Sequence, residues 1–135
     1  MIKIIYGAKG VGKTKQIIDM ANDSLQEQAG DIVFIANTNR YMHDIKYQIR
    51  FSNTKESDVN SKAGLVGFIK GMISANYDIK VMYIDGAARI MKIEIEEMKE
   101  FFGDLEAISE KSNVDFVLTI SMDKEKLPDF IQKYI

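Results

Sequence analysis

Cysteine is absent from this 135-residue chain, and proline and histidine each occur once. Without cysteine there is no disulfide and no thiolate metal centre, and a reducing cytoplasm is the compartment such a composition fits. The lone histidine, His43, argues against imidazole chemistry, because a single histidine is more often a surface or satisfied core group than a catalyst. The one proline, Pro128, lies near the C-terminal end. No repeat, low-complexity segment or linker interrupts the sequence, so residues 1–135 read as one domain. No apolar run is long enough to span a bilayer, and a membrane partner is not expected. Charge of one sign is also missing: 18 Lys and Arg stand against 20 Asp and Glu, a net charge of −2. Nothing global therefore marks a nucleic-acid surface. What is present is a 46% hydrophobic chain, long enough to bury roughly two-thirds of the surface it exposes when unfolded.

The most informative stretch is Gly7 to Thr14, Gly-Ala-Lys-Gly-Val-Gly-Lys-Thr. It fits G-x-x-x-x-G-K-[ST], a phosphate-binding loop. Ile2, Ile4, Ile5 and Tyr6 before it read as a buried strand, which leaves little room for a cleaved leader. Ile17, Ile18, Ala21 and Leu25 after it have helical spacing. Strand, loop and helix are the context the motif requires. Gly7, Gly10 and Gly12 tolerate backbone angles that a side chain forbids, so their N–H groups can surround an anion. The helix beginning near Lys13 adds its dipole and unpaired N–H groups. Lys13 is placed to reach β- and γ-phosphate oxygens and Thr14 to put its hydroxyl on Mg²⁺. Lys9 reads as a solvated cation of the same loop. Partition-type ATPases carry their signature lysine one position earlier, where this chain has Ala8.

Four further strands are expected. Ile32 to Ala36 is short and apolar, with Asn37, Thr38, Asn39 and Arg40 directly after it. Polar groups at such a strand tip can meet a ligand, but a helix cap with a turn is the favoured reading for Asn37 to Asn39. Residues 40–60 read as a short helix, a short strand near Ile49 to Ser52, and a loop. Ser61 caps a helix running to about Ala75, with Leu65, Phe68, Ile69, Met72 and Ile73 on its apolar side and Asn76 as its stop. Ile79 to Asp85 is an apolar strand ending in a carboxylate, which can hold a water on Mg²⁺.

Gly86 stands where many ATP hydrolases have the glutamate that positions water. Arg89 could contact a γ-phosphate, though a surface pair with a glutamate is the favoured reading. With Arg40 and Arg50 it completes the arginines of the chain, too few for a nucleoside monophosphate kinase. Residues 93–112 read as one long amphipathic helix with an acidic start. Within it Glu94 and Glu97 are candidates for a displaced catalytic glutamate. Val114 to Ile120 is the last strand, with Thr119 and Ser121 as polar groups at its tip, and Leu127 to Ile135 suggests a short helix with Pro128 in its first turn.

On these residues the chain resembles P-loop nucleoside triphosphatases. The resemblance covers Gly7–Thr14, the strand to Asp85 and the strand to Thr119. The order of elements is similar to the first RecA-like half of helicases. More narrowly, it resembles short bacterial ATP-binding proteins that open with M-I-K-I-I-Y-G-x-K-G-x-G-K-T and carry Y-I-D-G, some bearing a twitching-motility (pilus retraction) ATPase label. The resemblance implies a three-layer α/β/α P-loop fold with a mainly parallel sheet of about five strands. It implies ATP and Mg²⁺ as cofactors and slow ATP hydrolysis as the activity. Gly7, Ala8, Lys9, Gly10, Val11, Gly12, Lys13 and Thr14 would bind phosphate, Thr14 and Asp85 the metal, and Lys13 and Asp85 would serve catalysis. The N-K-x-D guanine motif is missing, which leaves adenine as the expected base. Alternatives are a sensor that binds without turnover and a small-molecule kinase with its acceptor near Asn37 to Arg40. A protein partner, or a second copy lending Arg89 across an interface, fits the same residues.

Overall fold

Alternation along the strands decides the architecture. In β2 (Asp31–Ala36), Ile32, Phe34 and Ala36 point to one side and Val33 and Ile35 to the other, and all five are buried. A strand buried on both faces needs cover on both faces. The computed structural model describes residues 1–27 and 29–135 and supplies that cover. Before β2 come β1 (Ile2–Gly7) and α1 (Lys13–Ser24), and after it β3 (Arg50–Asn53) and α2 (Lys62–Ala75). The chain continues through β4 (Ile79–Ile84), α3 (Ala87–Met91), α4 (Lys99–Ser112), β5 (Asp115–Ser121) and α5 (Asp129–Gln132). The five strands form one parallel sheet in the order β1-β5-β4-β2-β3.

One face packs against α1, through Ile17, Ile18 and Ala21 against Ile5, Ile32, Phe34, Val81, Tyr83 and Val117, and against Ile45 and Ile49 of the β2–β3 connection. On that face Phe34 lies between Phe51 and Tyr83 of the flanking strands, with ring centroids at 6.1 and 6.5 Å. Ladders of this kind across paired strands stabilise by about 0.2–1 kcal/mol per pair. The opposite face is larger and takes the other helices, with Leu65 and Ile69 of α2, Ile90 of α3, Phe101, Phe102 and Leu105 of α4, and Ile131 of α5. The result is the expected three-layer α/β/α arrangement.

Local signals explain most boundaries. Ser61 is extended, and its Oγ accepts the Gly64 N–H at 3.0 Å, which starts α2 and contributes about 1 kcal/mol. Asn113 ends α4 in the left-handed conformation at φ 55°. At the sheet edge Ile4 N–H donates to the Tyr134 carbonyl at 2.9 Å, so the C-terminal turn closes the free side of β1.

Two expectations need correction. Residues 93–112 are not one helix: α3 lies before this stretch, and α4 starts at Lys99. Lys92 turns left-handed at φ 57°, and Glu94 and Glu97 form a reciprocal capping box around a single 3₁₀ turn. Apolar spacing runs on through this break because both sides face the same core. Nor do Asn37 to Asn39 cap a helix. Thr38 Oγ1 accepts the Arg40 N–H at 3.1 Å in a tight turn, and a 3₁₀ turn at Met42–Asp44 is all the helix that follows.

Candidate functional site

β1 delivers its chain to the C-terminal edge of the sheet, and Gly7 to Gly12 turn it into α1. Gly12 is the N-cap of α1 in the left-handed region, φ 89° and ψ 22°, which a side chain enters only at a cost of about 1–2 kcal/mol. This reversal leaves donors without partners. Among the described residues, Val11 N–H bonds to the Ala8 carbonyl at 3.3 Å, whereas the N–H groups of Lys9, Gly10, Gly12, Lys13, Thr14 and Lys15 find no acceptor within the chain. All six of those residues line one open cleft of about 1030 Å³. Unpaired donors at a helix start, with the helix dipole behind them, are groups that an anion can satisfy.

Lys13 is buried, and its Nζ donates to the Ala8 carbonyl at 2.8 Å. Burial pushes its ammonium below the ordinary 10.5; Asp85 opposes that shift and Arg89 adds to it. An ammonium stripped of water and satisfied by one carbonyl gains from an incoming oxyanion.

Beside Lys13 lies a connected set of oxygens. The Thr14 hydroxyl donates to Asp85 Oδ2 at 3.0 Å. The Thr119 hydroxyl donates to Asp85 Oδ1 at 2.7 Å and accepts the Gly86 N–H at 2.8 Å. Asp85 N–H donates to the Ile35 carbonyl at 2.9 Å, which pins the tip of β4 against β2. Asp85 and Thr119 are both buried. A hydroxyl and a carboxylate side by side match what Mg²⁺ takes from protein when phosphates and waters complete its shell. No group of three or more His, Cys, Asp or Glu that could hold a metal by itself occurs among the described residues.

The structure brings Lys9, Gly10, Gly12, Lys13, Thr14 and Asp85 to the cleft, together with Arg89, Thr119 and Ser121. Gly7, Ala8 and Val11 are not in its lining: Ala8 contributes the carbonyl that holds Lys13, and the Val11 side chain faces solvent. Thr119 has its hydroxyl committed to Asp85 and Gly86, so it positions the carboxylate. Arg89 corrects the expectation of a surface pair. No carboxylate bonds to it among the described residues, and its side chain folds back over Gly86. Gly86 sits at φ 76°, and a Cβ there would come within 2.8 Å of Arg89 Cζ. The guanidinium thus occupies the space that a side chain after Asp85 would need. Glu94 and Glu97 hold each other's backbone and lie outside the lining.

Asn37, Thr38 and Arg40, expected as a place where an acceptor could sit, line the far half of the cleft, and beside them lie Ile18, Asp19, Asn22, Tyr41 and Asp44, which were not expected there. The available signal was a polar stripe on α1, Lys15, Asp19 and Asn22, beside an otherwise apolar helix.

No protein-family model and no curated protein matches the chain. No helix among the described residues is long and apolar enough to cross a membrane.

Proposed function

We propose that the chain is a P-loop nucleotide-binding protein that holds ATP with Mg²⁺ and hydrolyses it slowly in the cytoplasm. The observation that carries the reading is the convergence, on one cleft, of unpaired loop amides, a buried Lys13 and the Thr14–Asp85 pair. The loop amides and Lys13 would hold the phosphate chain. Thr14 and Asp85 would hold the metal, which when bound bridges β- and γ-oxygens and neutralises their charge. Thr119 keeps the Asp85 carboxylate aimed, and Arg89 adds a second positive charge near Lys13. Sheet order supports the resemblance to RecA-like ATPases, because β5 is inserted between β1 and β4.

Slow turnover is proposed because Gly86 brings no carboxylate to the water-positioning place and Arg89 fills that space. The same observation favours a second reading, a sensor that binds without turnover. Thermal denaturation with ATP, GTP and ADP, each with and without Mg²⁺, tests binding. A ligand at a hundredfold its dissociation constant adds about 2.7 kcal/mol, a rise of several degrees. No rise with any nucleotide, and a Lys13→Ala variant that behaves like wild type, would refute the proposal. Single-turnover incubation separates the readings: ADP formation marks the hydrolase, and ATP intact over hours marks the sensor.

A further inference from the structure

We propose that the half of the cleft between α1 and the β2–β3 connection is a second small-molecule site, for a hydroxyl compound carrying one anionic group that accepts the γ-phosphoryl group. The inference rests on the nucleotide reading above. Sheet topology sets the direction. In a loop of this kind the amides take the α- and β-phosphates, the lysine reaches β and γ, and the metal bridges β and γ. The γ end therefore lies at Lys13, Thr14 and Asp85. Because Asp85 N–H is bonded to Ile35, the tip of β2 and the Asn37–Thr38 turn behind it adjoin the γ end.

Size and wall structure agree with a second ligand. At about 1030 Å³ the cleft is at the upper limit of pockets that hold one small molecule, which run to about 1,000 Å³. Its far walls are fixed by hydrogen bonds through Asn22 and the backbone. Asn22 Nδ2 donates to the Asp44 carbonyl at 2.9 Å, and Asn22 Oδ1 accepts the Lys46 N–H at 3.0 Å. Thr54 N–H donates to the Ala36 carbonyl at 2.8 Å, which anchors the end of β2.

Inside these walls, and among the described residues, the Asn37 amide, the Arg40 guanidinium and the Asp44 carboxylate have no side-chain partner, whereas Asp19 is paired with Lys15 at 2.8 Å. Arg40 lies over the Tyr41 ring, 5.3 Å from its centroid, which holds the guanidinium plane in place. A guanidinium selects a carboxylate or phosphate, and a free carboxylate accepts from a hydroxyl. Gly86 fits the same scheme, since a site whose nucleophile is not water has no use for a water-positioning glutamate. In the transfer, the acceptor hydroxyl oxygen bonds to the γ-phosphorus as the bond from that phosphorus to the β–γ bridging oxygen breaks. ADP leaves with the bridging oxygen, and the hydroxyl proton passes to water in the open cleft, while Asp44 orients the acceptor by accepting from a hydroxyl.

The test incubates the chain with ATP and Mg²⁺ plus D-glycerate or L-serine in carboxylate arms, and glycerol 3-phosphate or glucose 6-phosphate in phosphate arms. Phosphorus NMR reads phosphate ester, ADP and free phosphate, and calorimetry reads ADP affinity on the same samples. The expected result is ADP matched by ester in one of the two kinds of arm. Arg40→Ala and Asp44→Asn should each lower ester formation at least tenfold, with ADP affinity within twofold of wild type. ADP matched by free phosphate in every arm overturns the proposal, as does ester formation that neither substitution changes. Arg40→Ala weakening ADP binding but not that of inorganic tripolyphosphate also overturns it, by placing the nucleoside in this lobe. Failure of the wild-type chain to bind ADP refutes the nucleotide reading itself, and calorimetry shows that without reference to any acceptor.

Discussion

Thr119→Val removes a single oxygen from the centre of the site while nearly preserving shape. That oxygen donates to Asp85 Oδ1 at 2.7 Å and accepts the Gly86 N–H at 2.8 Å, in a position where Thr119 is 4% exposed. Two polar groups lose a partner at once. A buried group left unsatisfied costs about 1–3 kcal/mol, and bonds to charged groups lie toward the upper end. Asp85 keeps the Thr14 hydroxyl and borders the open cleft, which offsets part of the loss. The expected destabilisation is about 2–4 kcal/mol, large against the 5–15 kcal/mol of a whole domain. Urea denaturation should show the midpoint falling with an unchanged slope, and the melting temperature should drop by roughly 10 °C. Thr119→Ser, which retains the hydroxyl, should lose about 1 kcal/mol. Combining Thr119→Val with Thr14→Val should be non-additive, because both hydroxyls grip one carboxylate. A Thr119→Val protein within about 0.5 kcal/mol of wild type, the range of ordinary surface substitutions, would refute the claim that this hydroxyl holds Asp85.

Asp85→Asn should keep the fold to within about 1 kcal/mol, since the Thr14 hydroxyl can reverse from donor to acceptor, yet abolish the Mg²⁺ dependence of the ATP-induced thermal shift. Nucleotide affinity should fall in alkaline buffers. Lys13 in the free protein titrates below its ordinary 10.5, and bound phosphate raises it again, so binding takes up protons above the free-state value and weakens as pH climbs through the interval. Calorimetry in buffers of different ionisation enthalpy reads that uptake directly. Gly86→Ala should cost about 1–2 kcal/mol for its left-handed angle and displace Arg89 besides. Gly103→Ala, on an open face of α4 with nothing within 4 Å, should instead stabilise by about 0.5–1 kcal/mol, and thermal denaturation of the pair checks both signs.

The strands were readable because each combines a short apolar run with a polar boundary, and the loop was readable because its glycines, lysine and threonine have fixed offsets. Ser61, Asn76 and Asn113 marked helix ends through backbone chemistry local to them. The break at Lys92 was not readable, because a left-handed lysine has no composition signal and the apolar spacing continues across it. The short α3 after Asp85 was missed for a related reason: five residues are too few to show a helical period, and Ala87 and Ile90 are buried by the tertiary fold. At the site, the motif led to Lys9, Gly10, Gly12, Lys13 and Thr14, which line the cleft, but not to the exclusion of Gly7, Ala8 and Val11 from it. Arg89 could not be placed, since its position depends on an empty Cβ site at Gly86 and on α3. In the far half of the cleft only Asn37 to Arg40 were legible, from their place after β2; the α1 wall was not, because it joins a connection more than twenty residues later through Asn22.

The closure of β1 bears on the order in which the molecule is completed. The first strand has a single lateral neighbour, β5, in register from Ile2↔Phe116 to Gly7↔Ser121, and its other margin is held by Tyr134. During synthesis from the N-terminus, the segment carrying the glycine loop is made well before β5 and Tyr134, which support it. Such long-separated pairings are slow to form. A nascent chain halted before Asp115 therefore has α1 and β2 in hand and no platform under the loop, so the proposed phosphate seat is assembled only once β5 has been made.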